Sequence, residues 1–345
     1  MKYFLLSVSV LLSNFLFVQH KEQAEAAVAR GIPYHDKGDY EGAIKRYDSA
    51  LKMDNDNLLA LAEKAYSLLS SDKYDESIEC CKKAIKKHPN EEGLKMLYVT
   101  YGTDYDYEKK TDKSIEVYEE GLKLFPDFYL LQFNKGISLF SVKRYDESEV
   151  CYQRALMLNP NHAGSNNAIG RLNYIEDRRV PAIFGLCRLL VLEPQSERAK
   201  NDLDYLQKTM NTGVEKNAKG DINIYVKPSD STKKENNFST IEMMLSMTAA
   251  LSLDTLKLSP TANFAYRFGT FCSTLKESKD KNYGFYWDYY APYFIEMKDK
   301  NFVETFSHII FASTDDKEND DWLKNNKQAI TDFYDWSKGF TWKQK

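Results

Sequence analysis

A chain of 345 residues, 43% hydrophobic and 28% charged, is long enough for two domains or for an elongated array with an appendage, and most of it should fold. Its formal net charge of -4 and pI of about 5.9 provide no concentrated positive field, so nucleic acid is not expected as a partner. Aromatic residues are frequent at 14%, which makes their placement a question for every segment below.

The chain opens with Lys2 and an apolar run from Tyr3 to Val18, interrupted only by Ser7, Ser9, Ser13 and Asn14. Sixteen or so helical residues span about 24 Å, short for a membrane crossing and suited to the apolar region of an export signal. Residues 1–20 therefore read as a signal peptide, or as an uncleaved N-terminal anchor, since no small-x-small triplet follows Val18 closely. No cysteine follows the run closely, so a lipoprotein anchor is not supported.

Residues 24–196 carry four interleaved sets of similar residues. Ala43, Ser77, Ser114, Ser148 and Ala182 stand at intervals of 34, 37, 34 and 34. Ala50, Ala84, Gly121, Ala155 and Leu189 share those intervals, as do Asn55, Pro89, Pro126, Pro160 and Pro194. Gly31, Ala65, Val99, Gly136 and Gly170 give 34, 34, 37 and 34, so a three-residue insertion is expected between Val99 and Ser114. Small residues let paired helices approach closely, and Pro or Asn ends the second helix of each pair. Tyr47, Cys81, Tyr118, Tyr152 and Leu186 are the expected fillers of the seams between pairs.

Beyond the repeats, Ala199, Leu203, Leu206 and Met210 lie on one helical stripe and predict a capping helix over 197–211. Residues 212–237 are polar and read as a linker, with a short strand possible over Asp221 to Val226. Residues 238–345 predict a helical, aromatic-rich domain without the repeat. Its helices are expected over Ser239–Leu256, from the cap Ser259-Pro260, and over Asp288–Lys298, Phe302–Ala312 and Asp320–Trp336. The acidic run Asp315, Asp316, Glu318, Asp320 and Asp321 suits a helix start rather than a calcium loop. YGFYWDYYAPYF, Tyr283 to Phe294, has eight aromatics in twelve residues. It reads as core, with Tyr286, Trp287 and Tyr290 as the alternative glycan or interface aromatics. A second cluster, Tyr334, Trp336, Phe340 and Trp342, should dock rather than fray. The odd count of widely spaced cysteines, Cys80, Cys81, Cys151, Cys187 and Cys272, argues for core thiols rather than a disulfide framework.

KGDYEGAIKRYDSALKMDNDN (Lys37 to Asn57) and RYDESEVCYQRALMLNPNH (Arg144 to His162) resemble the second half of the tetratricopeptide repeat. The resemblance covers about half the chain and sets five repeats at 24–57, 58–91, 92–128, 129–162 and 163–196. The third and fifth are degenerate, with Thr111 and Arg179 where Tyr40, Tyr74 and Tyr145 stand elsewhere. It implies an all-α chain, a right-handed superhelix of stacked helix pairs with a concave groove, followed by the smaller C-terminal domain. It also implies a protein or peptide partner. Ligand positions carried over from the family fall on Tyr66, Leu69, Met96, Phe133, Ile137, Phe140, Asn167, Arg171 and Tyr174, a mostly apolar wall in which Arg171 would pair with a ligand carboxylate. The subclass that clamps acidic chaperone tails requires Lys, Asn and Arg at positions occupied here by Val28, Ile32 and Ala62, which disfavours a co-chaperone.

No nucleophile elbow, phosphate loop, dinucleotide fingerprint or zinc-protease motif is present, so neither catalysis, a cofactor nor a metal is expected. Glu304 and His308 are one turn apart and read as a surface pair. The expectation is a binding scaffold in the envelope or periplasm of a Gram-negative type of cell, membrane-associated if the N-terminal segment is retained. A glycan-binding protein or an enzyme within 238–345 are the other readings.

Overall fold

The computed structural model describes residues 20–225, 234–254 and 258–343. The N-terminal apolar run and Val226 lie outside them. The described chain is all-α apart from one small hairpin, and it divides into two compact units, the first ending at Cys151 and the second beginning at Tyr152.

The first unit is a series of helix pairs. Helix α1 (residues 20–36) pairs with α2 (Tyr40–Met53), α3 (Leu58–Ser70) with α4 (Tyr74–Lys87), and α5 (Leu94–Tyr107) with α6 (Thr111–Leu124). Helix α7 (Tyr129–Ser141) is followed by the start of α8 (Tyr145–Leu158). Each of these helices has one apolar stripe and buries it against its neighbours. Tyr47, Cys81 and Tyr118 are fully buried, as their role in the seams requires. Asp39 and Asn57 accept from Gly42 N and Ala60 N and so start α2 and α3. The serines that open second helices are more than small. Ser77 Oγ donates to Ala65 O at 2.9 Å and Ser148 Oγ to Gly136 O at 2.7 Å, tying the two helices of a pair together.

The turn within each pair needs one residue in the left-handed region. Gly38, Asp72, Lys109 and Lys143 supply it at intervals of 34, 37 and 34. The insertion therefore lies ahead of α5 and not between Val99 and Ser114. A loop over 88–93, itself turned by Asn90 at φ 71°, replaces the shorter connections at 54–57 and 125–128. Gly102, rather than Val99, is the small residue of the third pair: a Cβ there would stand 2.3 Å from Tyr118 Cε1, as one at Gly31 would stand 2.4 Å from Tyr47 Cε1.

The second unit begins within α8 and continues through α9 (Ala163–Ile175), α10 (Arg179–Leu192) and α11 (Ala199–Asn211). Strands β1 (Val214–Lys216) and β2 (Ile222–Ile224) form an antiparallel hairpin with Val214 opposite Ile224. Then come α12 (Ser239–Asp254), α13 (Pro260–Ser278), a π-helical turn over Tyr286–Tyr290, and α14 (Ala291–Asp299). The chain ends with α15 (Val303–Ile310), α16 (Lys317–Asn325) and α17 (Lys327–Gly339). Ser259 caps α13 with Pro260 in its first turn, and Asp316 caps α16 by accepting from Glu318 N and Asn319 N. The single helix expected over Asp320–Trp336 is two: Asn326, at φ -114° and ψ 37°, leaves the helical conformation and caps α16, its backbone N and Nδ2 both donating to the Trp322 carbonyl.

The core of this unit is α10. Every residue from Arg179 to Val191 is buried, so the helix is covered on all sides. Gly185 meets Gly170 of α9, leaving no room for a side chain on either. On the other faces Phe184 stacks on Tyr290 and Phe294, with centroids 5.7 and 5.3 Å apart, and packs against Phe238 and Phe271. Arg188, a cation in the middle of this helix, donates to Tyr293 Oη, Ser337 Oγ and Asn161 Oδ1 and lies over the rings of Tyr293 and Trp342. The C-terminal aromatic cluster is thus docked, as expected. The residues from Phe238 onward do not form a unit of their own beyond the polar stretch. They share one core with the fifth helix pair and α11, since α10 has apolar side chains all round that the repeat alone cannot cover.

All five cysteines are free thiols, four of them buried. His308 stacks on Trp322 at 3.9 Å and pairs through Nδ1 with Asn319 Oδ1 at 2.7 Å, contacts that fix its ring without Glu304.

Candidate functional site

In the first unit the first helices of successive pairs lie side by side, α3 against α5 and α5 against α7. One repeat position on them is occupied by Ile32, Tyr66, Thr103 and Ile137, and the next turn by His35, Leu69, Asp106 and Phe140. Ile32, Tyr66 and Ile137 are 37, 49 and 41% exposed, although all are large and apolar, while Leu69, Phe133 and Phe140 are half-buried. This is a face whose apolar side chains the unit itself leaves uncovered. Tyr66 is held by His35, whose ring stacks on it at 4.6 Å and whose Nδ1 pairs with Ser67 Oγ at 2.7 Å. Phe140 packs on Tyr145 at 5.3 Å.

The corrected register changes the third pair. Met96, exposed near the start of α5, shares a helical stripe with Thr103 two turns later, but it is not the counterpart of Phe133. Thr103 and Asp106 stand where the neighbouring repeats have Tyr66 and Leu69, so the centre of the face is polar. Thr103 Oγ1 pairs with Tyr118 Oη at 3.1 Å, and Asp106 accepts from Ser138 Oγ at 2.6 Å. Burial holds the Asp106 carboxyl above its ordinary pKa, and burial likewise raises Glu63 on α3. Polar residues at this point left no signal in the sequence while the insertion was misplaced by a few residues.

In the second unit the three remaining predicted positions are already engaged. Arg171 has its carboxylate within the chain: Nη1 stands 3.3 Å from Asp202 Oδ1, and the guanidinium lies 4.1 Å over the Tyr205 ring. Tyr174 meets Tyr205 edge to face at 4.7 Å, and Asn167 also contacts Asp202. Helix α11 therefore covers the stripe Asn167, Arg171 and Tyr174. A neighbouring stripe of α9 receives the aromatic turn: Asn173 Nδ2 donates to Tyr286 Oη at 2.6 Å, and Tyr290 Oη donates to Asn166 Oδ1 at 2.8 Å.

The glycan alternative fails on burial. Tyr286, Trp287 and Tyr290 are all enclosed, and Trp287 is stacked on Phe238 at 4.7 Å with Nε1 donating to Asn237 O. None presents a face to a sugar ring. Among the described residues no three His, Cys, Asp or Glu side chains are grouped to hold a metal ion, and no helix is long and apolar enough to cross a membrane.

Comparison with known proteins agrees with the repeat geometry. The tetratricopeptide-repeat family pattern matches residues 34–98 and 129–162. Among curated proteins, the Protein STIP1 homolog of Dictyostelium discoideum is 27% identical over 154 residues, covering 36% of this chain; the chain spans only 27% of that relative's length. Among solved structures, PilF of Pseudomonas aeruginosa is 20% identical and covers 56% of this chain and 90% of its own, with a TM-score of 0.45. MamA of Desulfovibrio magneticus RS-1 is 16% identical and covers 49% of this chain and 94% of its own, with a TM-score of 0.42. From the family pattern, the interval of 34 residues and the paired helices, residues 34–98 and 129–162 are tetratricopeptide repeats.

Proposed function

We propose that this protein is a binding scaffold in the cell envelope that holds an apolar segment of another protein on the first-helix face of its N-terminal unit. The observation that carries the reading is the row Ile32, Tyr66 and Ile137, exposed at one repeat position on neighbouring helices and backed by Leu69, Phe133 and Phe140. Covering such side chains contributes roughly 25 cal/mol per Å² of apolar area, less the cost of ordering the ligand. Asn167, Arg171 and Tyr174 are left out of the contact, because α11 occupies them. Thr103 and Asp106 would select a segment with a polar group between two apolar anchors.

The envelope location rests on the apolar run from Tyr3 to Val18 behind Lys2. Both parts are tested in the native host. A photo-crosslinking residue in place of Ile137 is expected to trap a discrete protein adduct in the envelope fraction, and Tyr66→Asp with Phe140→Asp is expected to abolish it while the helical spectrum is unchanged. The same adduct in the folded double variant would sink the groove reading; recovery of the intact chain in the cytosol would sink the envelope location.

A further inference from the structure

A cavity of about 370 Å³ lies inside the second unit between α11, α12 and α13. Its volume is at the lower end of the range for small-molecule sites. Met210, Ala249, Leu253, Phe264 and Phe311 give it apolar walls, and Gln207, Asn211, Ser252, Asn263 and Arg267 are the polar groups that face it. Leu253 and Leu258 are 49 and 45% exposed, large apolar residues standing at its mouth.

Arg267 decides what the cavity suits. The residue is only 6% exposed, and among the described residues no carboxylate pairs with it. Its Nη1 donates to Asn211 Oδ1 at 2.7 Å and its Nη2 to Met210 O at 2.5 Å, while Nε has no partner. Arg179 converges on the same place, donating to Thr209 O, Met210 O and Ser246 Oγ. Arg179 has the carboxylates of Glu242 and Asp177 near it, whereas Arg267 has only the end of α11, which offers about half a negative charge. Burial alone depresses the Arg267 pKa to about 10, with no neighbouring acid to offset it. A buried guanidinium without a counter-charge is costly, and an anion brought next to it is attracted more strongly than in bulk water.

We infer that this cavity binds a small aliphatic carboxylate, its head group beside Arg267, Asn211 and Asn263 and its hydrocarbon chain along Met210, Phe264 and Leu253 toward the mouth. Neither the repeat face nor its partner enters the argument, so the site stands or falls separately from the scaffold function.

The test titrates the full chain with sodium decanoate below its micelle concentration, by calorimetry and by the ¹³C resonance of a labelled carboxylate, with decanol as the uncharged control. Saturable 1:1 binding is expected, with decanol weaker by roughly tenfold or more, and the carboxylate resonance should shift on binding. Leu258→Glu, at the exposed mouth where folding is unaffected, should weaken decanoate by roughly tenfold or more and decanol far less. Arg267→Gln should abolish the preference for decanoate over decanol; if that variant does not fold, Leu258→Glu decides. No saturable binding, equal affinity for the two ligands, or a Leu258→Glu variant that binds decanoate as well as the native chain would each overturn the site.

Discussion

Asp104 is an acid in the interior of the first unit, fully buried on α5. Its Oδ2 stands 2.7 Å from Ser77 Oγ, whose single hydroxyl proton is shared between this contact and Ala65 O at 2.9 Å. Ionised, the carboxylate accepts from Ser77; protonated, it can donate to Ser77 and leave the Ser77 proton to Ala65 O. Burial pushes the Asp104 pKa from 3.8 to about 7, the Ser77 hydrogen bond opposes this, and Glu108 adds to it. Below about pH 4 the group is protonated in both folded and unfolded chains. Between pH 4 and 7 the folded chain retains a proton that the unfolded chain releases, so stability falls as pH rises through that window, by up to roughly 4 kcal/mol, and levels off above it. Asp104→Asn keeps a donor toward Ser77 and cannot ionise. It is expected to melt higher than the native chain at pH 8 and to lose most of the slope between pH 4 and 7 in thermal unfolding; an unchanged slope would place the titration elsewhere. The sequence marks Ser77, Ser114 and Ser148 as small residues at repeat intervals, and their size is legible there. That Ser77 and Ser138 meet acids of α5 is not, because it depends on contacts between neighbouring pairs rather than on spacing within one.

At the level of the element, the repeat helices and the seam residues Tyr47, Cys81 and Tyr118 follow from periodicity, since each is a local pattern repeated at fixed distance, and the start of α13 follows from the pair Ser259-Pro260, whereas the cap Asp316 and the break at Asn326 do not. The register of α5 does not. Val99 satisfies the rule of a small apolar residue only loosely, whereas Gly102 is the position where the Tyr118 ring leaves no space. Gly102→Ala is therefore expected to destabilise the first unit by about 1–3 kcal/mol in urea unfolding, because the buried Tyr118 ring is also fixed through its hydroxyl to Thr103 and cannot swing away. Adding Tyr118→Leu should recover part of that loss by removing the ring edge. If Gly102→Ala were neutral, the glycine would have no packing role and the register would need another anchor.

Across the whole molecule, reading residues 24–211 as an array complete with its cap conflicts with α10. RVPAIFGLCRLLVL has apolar side chains on every face, a signal present in the sequence that a repeat pattern hides, since a pattern asks only whether the expected positions are filled. The structure covers the remaining faces with Phe238, Phe271, Tyr290 and Phe294. A chain ending at Asn211 is expected to lose more helical signal by circular dichroism than its deleted helices account for, and to bind a hydrophobic dye, because α9 to α11 lose their cover. A truncated chain with a proportionate helical signal and no dye binding would show that the fifth pair stands without the C-terminal helices. This dependence also sets how such an array can change length. A pair that touches only other pairs can be duplicated or lost with its seam residues intact, so the run from α1 to α7 is free to grow or shrink by units of 34 residues. The fifth pair has no such freedom. Gly170 and Gly185 close one side of α10 and the aromatic helices the other, so a repeat added after it would find no seam to enter, and extension of the scaffold is confined to its N-terminal end.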